Sequence, residues 1–179
     1  MRKVTFTLLF VIFLTACGSS KSGITPDDIS IVKVDDEKAI VTYGMSRTGA
    51  EKVVGEPEDE GIGSRIRYNN GISITYRDNS VVFISLNEES KGKFKTVDGA
   101  EINMNKNDFK KIYGEDKAVE APDTLNYVYD SEKKEYVNEL KPDQENAKYK
   151  KYLVSVKFND KGEADLILVS DINAALYLH

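Results

Sequence analysis

Apolar and polar residues alternate along two long stretches of the chain. In SITYRDNSVVFISL (73–86) and SVKFNDKGEADLIL (155–168), apolar residues recur at every second position on each side of a polar turn. That is the period of a strand with one buried face, so each stretch predicts strand, turn, strand. Asn70-Gly71 adds a tight hairpin between Arg65–Asn69 and Ile72–Tyr76. Leu125–Asp130 predicts the corresponding first strand of the second stretch. Nearer the start, Ile29–Val34 and Ala39–Tyr43 flank the charged run Asp35–Lys38 and read as a hairpin or as two edge strands.

A different spacing marks GMSRTGAEKVVGE (44–56) and NMNKNDFKKIYGE (103–115). Ala50, Val53 and Val54, and then Phe109, Ile112 and Tyr113, fall at i, i+3 and i+4, which is one stripe of a short helix. Ser46 and Asn105 are good N-caps, although Thr48 and Glu51 offer the first helix a capping box two residues later. Gly55 and Gly114 suit the left-handed residue that ends a helix, and Pro57 stops the first from resuming. Both helices and both hairpins align without gaps. The helices are offset by 59 positions and the hairpins by 82, which leaves about 23 extra residues in the second unit. The polar segment 131–151 is where they fall. The predicted fold class is therefore α+β: a tandem repeat of a short helix plus antiparallel β-strands, with units at 29–98 and 99–179 and with Val53 and Ile112 buried.

The N-terminus follows neither pattern. Arg2 and Lys3 precede an almost wholly apolar run, Val4–Leu14. It is too short to span a hydrocarbon core, which takes about 20 apolar residues. A basic start, a short apolar core and small residues make up a secretory signal peptide, predicted over 1–16. Cys17, the single cysteine, follows at once, and 17–28 (CGSSKSGITPDD) reads as a small, polar, flexible tether.

Leu14-Thr15-Ala16-Cys17 resembles the lipobox of bacterial lipoproteins. The resemblance implies that Cys17 becomes a diacylglyceryl thioether, the first residue of a mature chain. Acyl chains such as palmitate would then hold it to the cell membrane on the extracytoplasmic face, since two chains anchor stably where one does not. A second resemblance lies in Gly44-Met45-Ser46 and Gly55-Glu56-Pro57. They are similar to the helix-opening and helix-closing motifs of small envelope lipoproteins, whose best-known member serves the outer-membrane β-barrel assembly machine. The β-lactamase inhibitory protein carries a related fold as a tandem repeat, and tandem lipoproteins of low-GC Gram-positive bacteria are most similar to this chain. The second copy departs from the motif, with Asn103 for the first glycine and Asp116 for the proline. The resemblance implies a β-lactamase inhibitory protein-like fold and a protein-binding rather than catalytic role.

Charge and chemistry narrow the rest. Of 25 basic residues the leader removes two, against 30 acidic ones, which moves the net charge from −5 to about −7. Such a balance argues against nucleic-acid binding, which needs basic surface. His179, the only histidine, is the last residue, so His-dependent triads and His or Cys metal sites have no donors. No catalytic residue, cofactor or metal is predicted. Seven of the ten tyrosines follow residue 112. Tyr127, Tyr129, Tyr136, Tyr149 and Tyr152, interleaved with Lys133, Lys134, Lys148, Lys150 and Lys151, form a candidate interaction surface, since aromatic and cationic groups are favoured at interfaces. The same pattern also fits strands whose edges are covered by tyrosine and protected by lysine. The expected function is a lipid-anchored, non-enzymatic protein-binding module of the cell envelope. The alternatives are a receptor for a small ligand or wall fragment, and an inhibitor or immunity factor.

Overall fold

The computed structural model describes residues 21–59, 65–143 and 150–177. A 3-10 turn at Pro26–Asp28 leads into β1 (Ser30–Lys33), which pairs antiparallel with β2 (Ile40–Thr42). Helix α1 (Arg47–Val54) follows, then β3 (Pro57–Asp59), β4 (Arg65–Tyr68), β5 (Ile72–Arg77) and β6 (Ser80–Asn87). After a second 3-10 turn at Glu88–Ser90, β7 (Phe94–Thr96) returns to pair with β1. Helix α2 (Lys106–Tyr113) precedes β8 (Val119–Ala121), β9 (Thr124–Asp130) and the two-residue β10 (Glu135–Tyr136). Strands β11 (Lys151–Phe158) and β12 (Ala164–Asp171) and helix α3 (Ile172–Tyr177) complete the described chain.

Two sheets result. One has the order β2-β1-β7; the other has nine strands, β10-β9-β11-β12-β6-β5-β4-β3, with β8 also on β9. The alternation of the sequence sets the two faces. Ile74, Ile84, Val169, Val154 and Tyr127 stand in register across five neighbouring strands and point into one core. The small sheet contributes Ile31, Val41 and Phe94 to that core. On the opposite face, Ile172 of α3 packs on Val128 and Leu153, and Ala174 on Val82 and Phe83.

Local elements formed where the sequence placed them. Ser46 caps α1 by accepting from Gly49 N at 3.2 Å, and Asn105 caps α2 by accepting from Asn107 N at 3.0 Å and Asp108 N at 3.3 Å. The alternative start at Thr48 is not used. Asn70 and Gly71 take φ of 69° and 72°, the two left-handed residues of a tight hairpin. Gly71 has a second constraint: a Cβ there would lie 2.0 Å from Asn87 Oδ1 and 2.7 Å from Ser90 N.

The fold class differs from the prediction. Of the described residues 42% are strand and 19% helix, so the molecule is mostly antiparallel β-sheet rather than an α+β tandem repeat of the β-lactamase inhibitory protein kind. The predicted units do not stand as helix-plus-strand modules. β12 pairs with β6 over Leu166↔Asn87 to Ser170↔Phe83, which fuses strands of both into one sheet. The ends of the first unit, β1 and β7, leave to form a separate sheet. Helices α1 and α2 have only eight residues and two buried side chains each, too few to make a layer. Those side chains also correct the core prediction. Ala50 and Val54, and Phe109 and Tyr113, are buried, whereas Val53 and Ile112 are half-buried. A two-turn helix resting on a sheet seats its i, i+4 line and leaves i+3 at the flank.

The tether is corrected as well. Its described part, from Lys21 to Asp28, belongs to the folded body: Gly23 is buried and Ile24 is fully buried. The small and polar residues around it read as a flexible tether because Ile24 is the single large apolar side chain among them, and the other contacts are made by backbone and by the Lys21 ammonium.

Candidate functional site

The tyrosines expected on a surface are mostly inside. Tyr127 is fully buried and Tyr152 is 7% exposed, while Tyr129 and Tyr136 are half-buried. The reason is strand parity. Leu125, Tyr127 and Tyr129 occupy the alternate positions of β9 that face the core, and β11 aligns Tyr152 with Tyr129. Tyr127 packs on Tyr113 at 5.2 Å, Tyr152 on Tyr43 at 5.8 Å and Tyr136 on Tyr129 at 5.1 Å between ring centroids. Burial pushes the Tyr136 hydroxyl up to about 12, with Tyr129 adding to it, and raises those of Tyr113 and Tyr127 further. Lys150 and Lys151 are half-buried. Cys17, Lys148 and Tyr149 lie outside the described residues.

What these rings receive is the chain's own N-terminal segment. Lys21 Nζ is paired with Asp28 Oδ1 at 2.5 Å and also with Asp98. Its carbonyl accepts from Lys117 Nζ at 2.6 Å, and that ammonium also lies 4.9 Å from the centre of the Tyr136 ring. Gly23 lies flat on Tyr129; a Cβ there would meet the ring at 2.4 Å. Burial raises the Asp98 carboxyl above its ordinary value, although Lys21 opposes the shift. Nothing in the local sequence pairs Lys21 with Asp98, which is 77 residues away.

Beside this clamp, the extra segment of the second half builds a groove. Asp130 closes the β9–β10 turn: its Oδ1 accepts from Glu132 N and Lys133 N, both at 3.0 Å, and Lys134 takes the left-handed position at φ 58°. Ser131 N and Oγ both donate to Lys150 O, at 2.8 and 2.7 Å. Asp143 fastens the returning chain. It accepts from Lys150 N at 2.9 Å and Lys151 N at 3.2 Å, while its own N–H donates to Asn173 Oδ1 at 2.7 Å. The groove so formed encloses about 860 Å³, with Glu132, Lys133, Tyr136, Glu139, Lys141 and Lys150 among its walls. Its charges are cross-linked, Lys150 to Glu132 at 2.6 Å and Lys141 to Glu139 at 2.7 Å. The hydrogen bond from Lys141 holds the Glu139 carboxyl below its usual range.

A third polar cluster is buried and structural. Asp171, with no exposure, accepts from Tyr43 OH at 3.0 Å, Arg77 Nη1 at 2.8 Å and Nη2 at 3.3 Å, and Ala174 N at 2.7 Å. It starts α3 and fixes that helix over the sheet. Among the described residues, no group of three His, Cys, Asp or Glu is placed to hold a metal ion, and no helix is long and apolar enough to cross a membrane.

No family model matches the sequence, and no curated protein matches it. Among solved structures, the chain bears a weak likeness to a DUF4309 family protein (YjgB) from Bacillus subtilis subsp. subtilis str. 168. Identity is 15% and the TM-score 0.39, over 70% of this chain and 78% of that one.

Proposed function

We propose that this chain is a lipid-anchored, non-enzymatic protein of the cell envelope, held at the extracytoplasmic face of the membrane through Cys17, whose task is to bind another envelope protein. The anchor rests on Leu14-Thr15-Ala16-Cys17 placed directly after a signal-like apolar run. The observation that carries the binding role is the groove lined between Asp130 and Asp143 and by Lys150 and Lys151. Asp143 and Ser131 fasten its walls through hydrogen bonds with the backbone, and most of its lining comes from the extra length of the second unit. Long connections of this kind are commonly used for binding. An open groove walled by both signs of charge suits the polar rim of a protein partner better than an apolar small molecule, which takes a concave and mainly apolar pocket.

Two experiments test the reading. Cys17→Ser should leave an unlipidated, unprocessed precursor; a variant that still matures and partitions into detergent like wild type would remove the anchor. For the groove, the lipidated protein is used to recover partners from native envelopes, beside the double variant Lys133→Glu, Lys141→Glu. Both lysines are exposed. A specific partner should be lost from the variant and weakened by added salt, because exposed charges are screened over about 8–10 Å at physiological ionic strength. Equal recovery by both proteins would move the binding surface elsewhere.

A further inference from the structure

We infer that the Lys21 clamp is an orienting device. It makes the β10 edge of the large sheet a bilayer-facing surface and holds the body against the lipid headgroups. The inference rests on the lipidation of Cys17 proposed above. From Lys21 onward the backbone belongs to the body: the ammonium is paired with Asp28 and Asp98, the carbonyl accepts from Lys117, Gly23 lies against Tyr129 and Ile24 is fully buried. Only Gly18, Ser19 and Ser20 separate this clamp from Cys17. Four Cα steps reach at most about 14 Å when fully extended. A globule of this length is on the order of 40 Å across, from the usual scaling of radius with chain length. The leash is therefore shorter than the body's radius, and the body cannot turn a different side to the membrane.

The clamp sits at one end of the sheet. Tyr129 is on β9, and Tyr136, under Lys117, is on the edge strand β10. β3 lies at the far end, seven inter-strand spacings from β10, or about 34 Å at ~4.8 Å each. The bilayer is thus set at the β10 edge and the β3 edge points away. Attraction is not what holds the surface there: the protein is acidic overall, and Asp27, Glu115 and Asp116 lie exposed near the clamp. The covalent leash does it. Tyr136 also lines the groove, which places one wall of it beside the clamp.

Fluorescence energy transfer to an acceptor in the headgroup layer of reconstituted vesicles tests this. The thioether consumes the Cys17 thiol, so an added cysteine is the single reactive one. Donors are placed singly at Val97→Cys, beside Asp98 and 37% exposed, and at Glu58→Cys on β3, also exposed. Transfer should be stronger from position 97 than from position 58. The difference should be lost when 20 Gly/Ser residues are inserted before Lys21, since such a linker reaches about 25 Å on average. Equal transfer from the two positions, the reverse order, or a difference unchanged by the linker overturns the inference. Detergent partition, read first on the same preparations, separates this from a failure of the anchor: an unlipidated chain overturns both readings, while a lipidated chain without the difference overturns the orientation alone.

Discussion

Asp171 shows how much one side chain can hold in place. It is fully buried and joins β12, the Tyr43 and Arg77 side chains and the first turn of α3. Removing this carboxylate takes the acceptor from the buried Ala174 N–H and from Tyr43 OH, and leaving a buried donor unsatisfied costs about 1–3 kcal/mol. Asp171→Ala should lose stability on that scale in chemical denaturation, and Asp171→Asn less, because an amide oxygen still accepts from Ala174 N. The helices give a paired test. Phe109→Ala should cost ~3–5 kcal/mol as a fully buried aromatic, and Ile112→Ala less than the ~2–5 kcal/mol of a fully buried isoleucine. Melting curves of the two variants check the order. The sequence pattern offered Val53 and Ile112 as equals of Val54 and Tyr113. Three apolar positions on one stripe cannot reveal which two a short helix will seat.

At the scale of elements, the local signals were readable. Capping residues, left-handed turn residues and strand alternation placed α1, α2 and the β4–β5, β5–β6 and β11–β12 hairpins, because all of them are made by neighbours in sequence. The candidate surface was read less well. The run of tyrosine and lysine after residue 112 looked like an exposed patch, yet parity on β9 and β11 turns Tyr127 and Tyr152 inward. Within this stretch Asp143 is tied to Lys150 and Lys151 by a device that no local pattern announces, since its carboxylate accepts from amides seven and eight residues further on. Asp143→Ala should speed amide exchange at Lys150 and Lys151 while leaving the melting temperature nearly unchanged. A large drop in melting temperature would instead make this segment part of the cooperative core.

For the molecule as a whole, alkaline conditions should probe how the tyrosines are stowed. In an unfolded chain tyrosine titrates near 10. Burial moves Tyr136 to about 12 and Tyr113 and Tyr127 upward as well. The folded state therefore keeps protons that the unfolded state releases, so stability should be level below about pH 10 and fall steadily above it. Tyrosinate absorbance and melting temperature, followed together in a Tyr177→Phe variant because Tyr177 is 66% exposed, should change in step; tyrosinate forming below pH 10 without unfolding would mean that the packed rings are open to water. The layer plan was not legible because it depends on the seam between β6 and β12, and pairings so distant in sequence leave no periodic trace. That seam also sets an order of events. A chain that folds from its N-terminus completes β6, whose residues 81–86 are all buried in the final sheet, about 80 residues before β12 exists. Until then β6 is an open apolar edge, the kind of template on which other chains assemble. Distant pairings also form slowly. A fragment ending at residue 98 should therefore self-associate, as light scattering would show, while the full chain stays monodisperse once β12 has closed the edge.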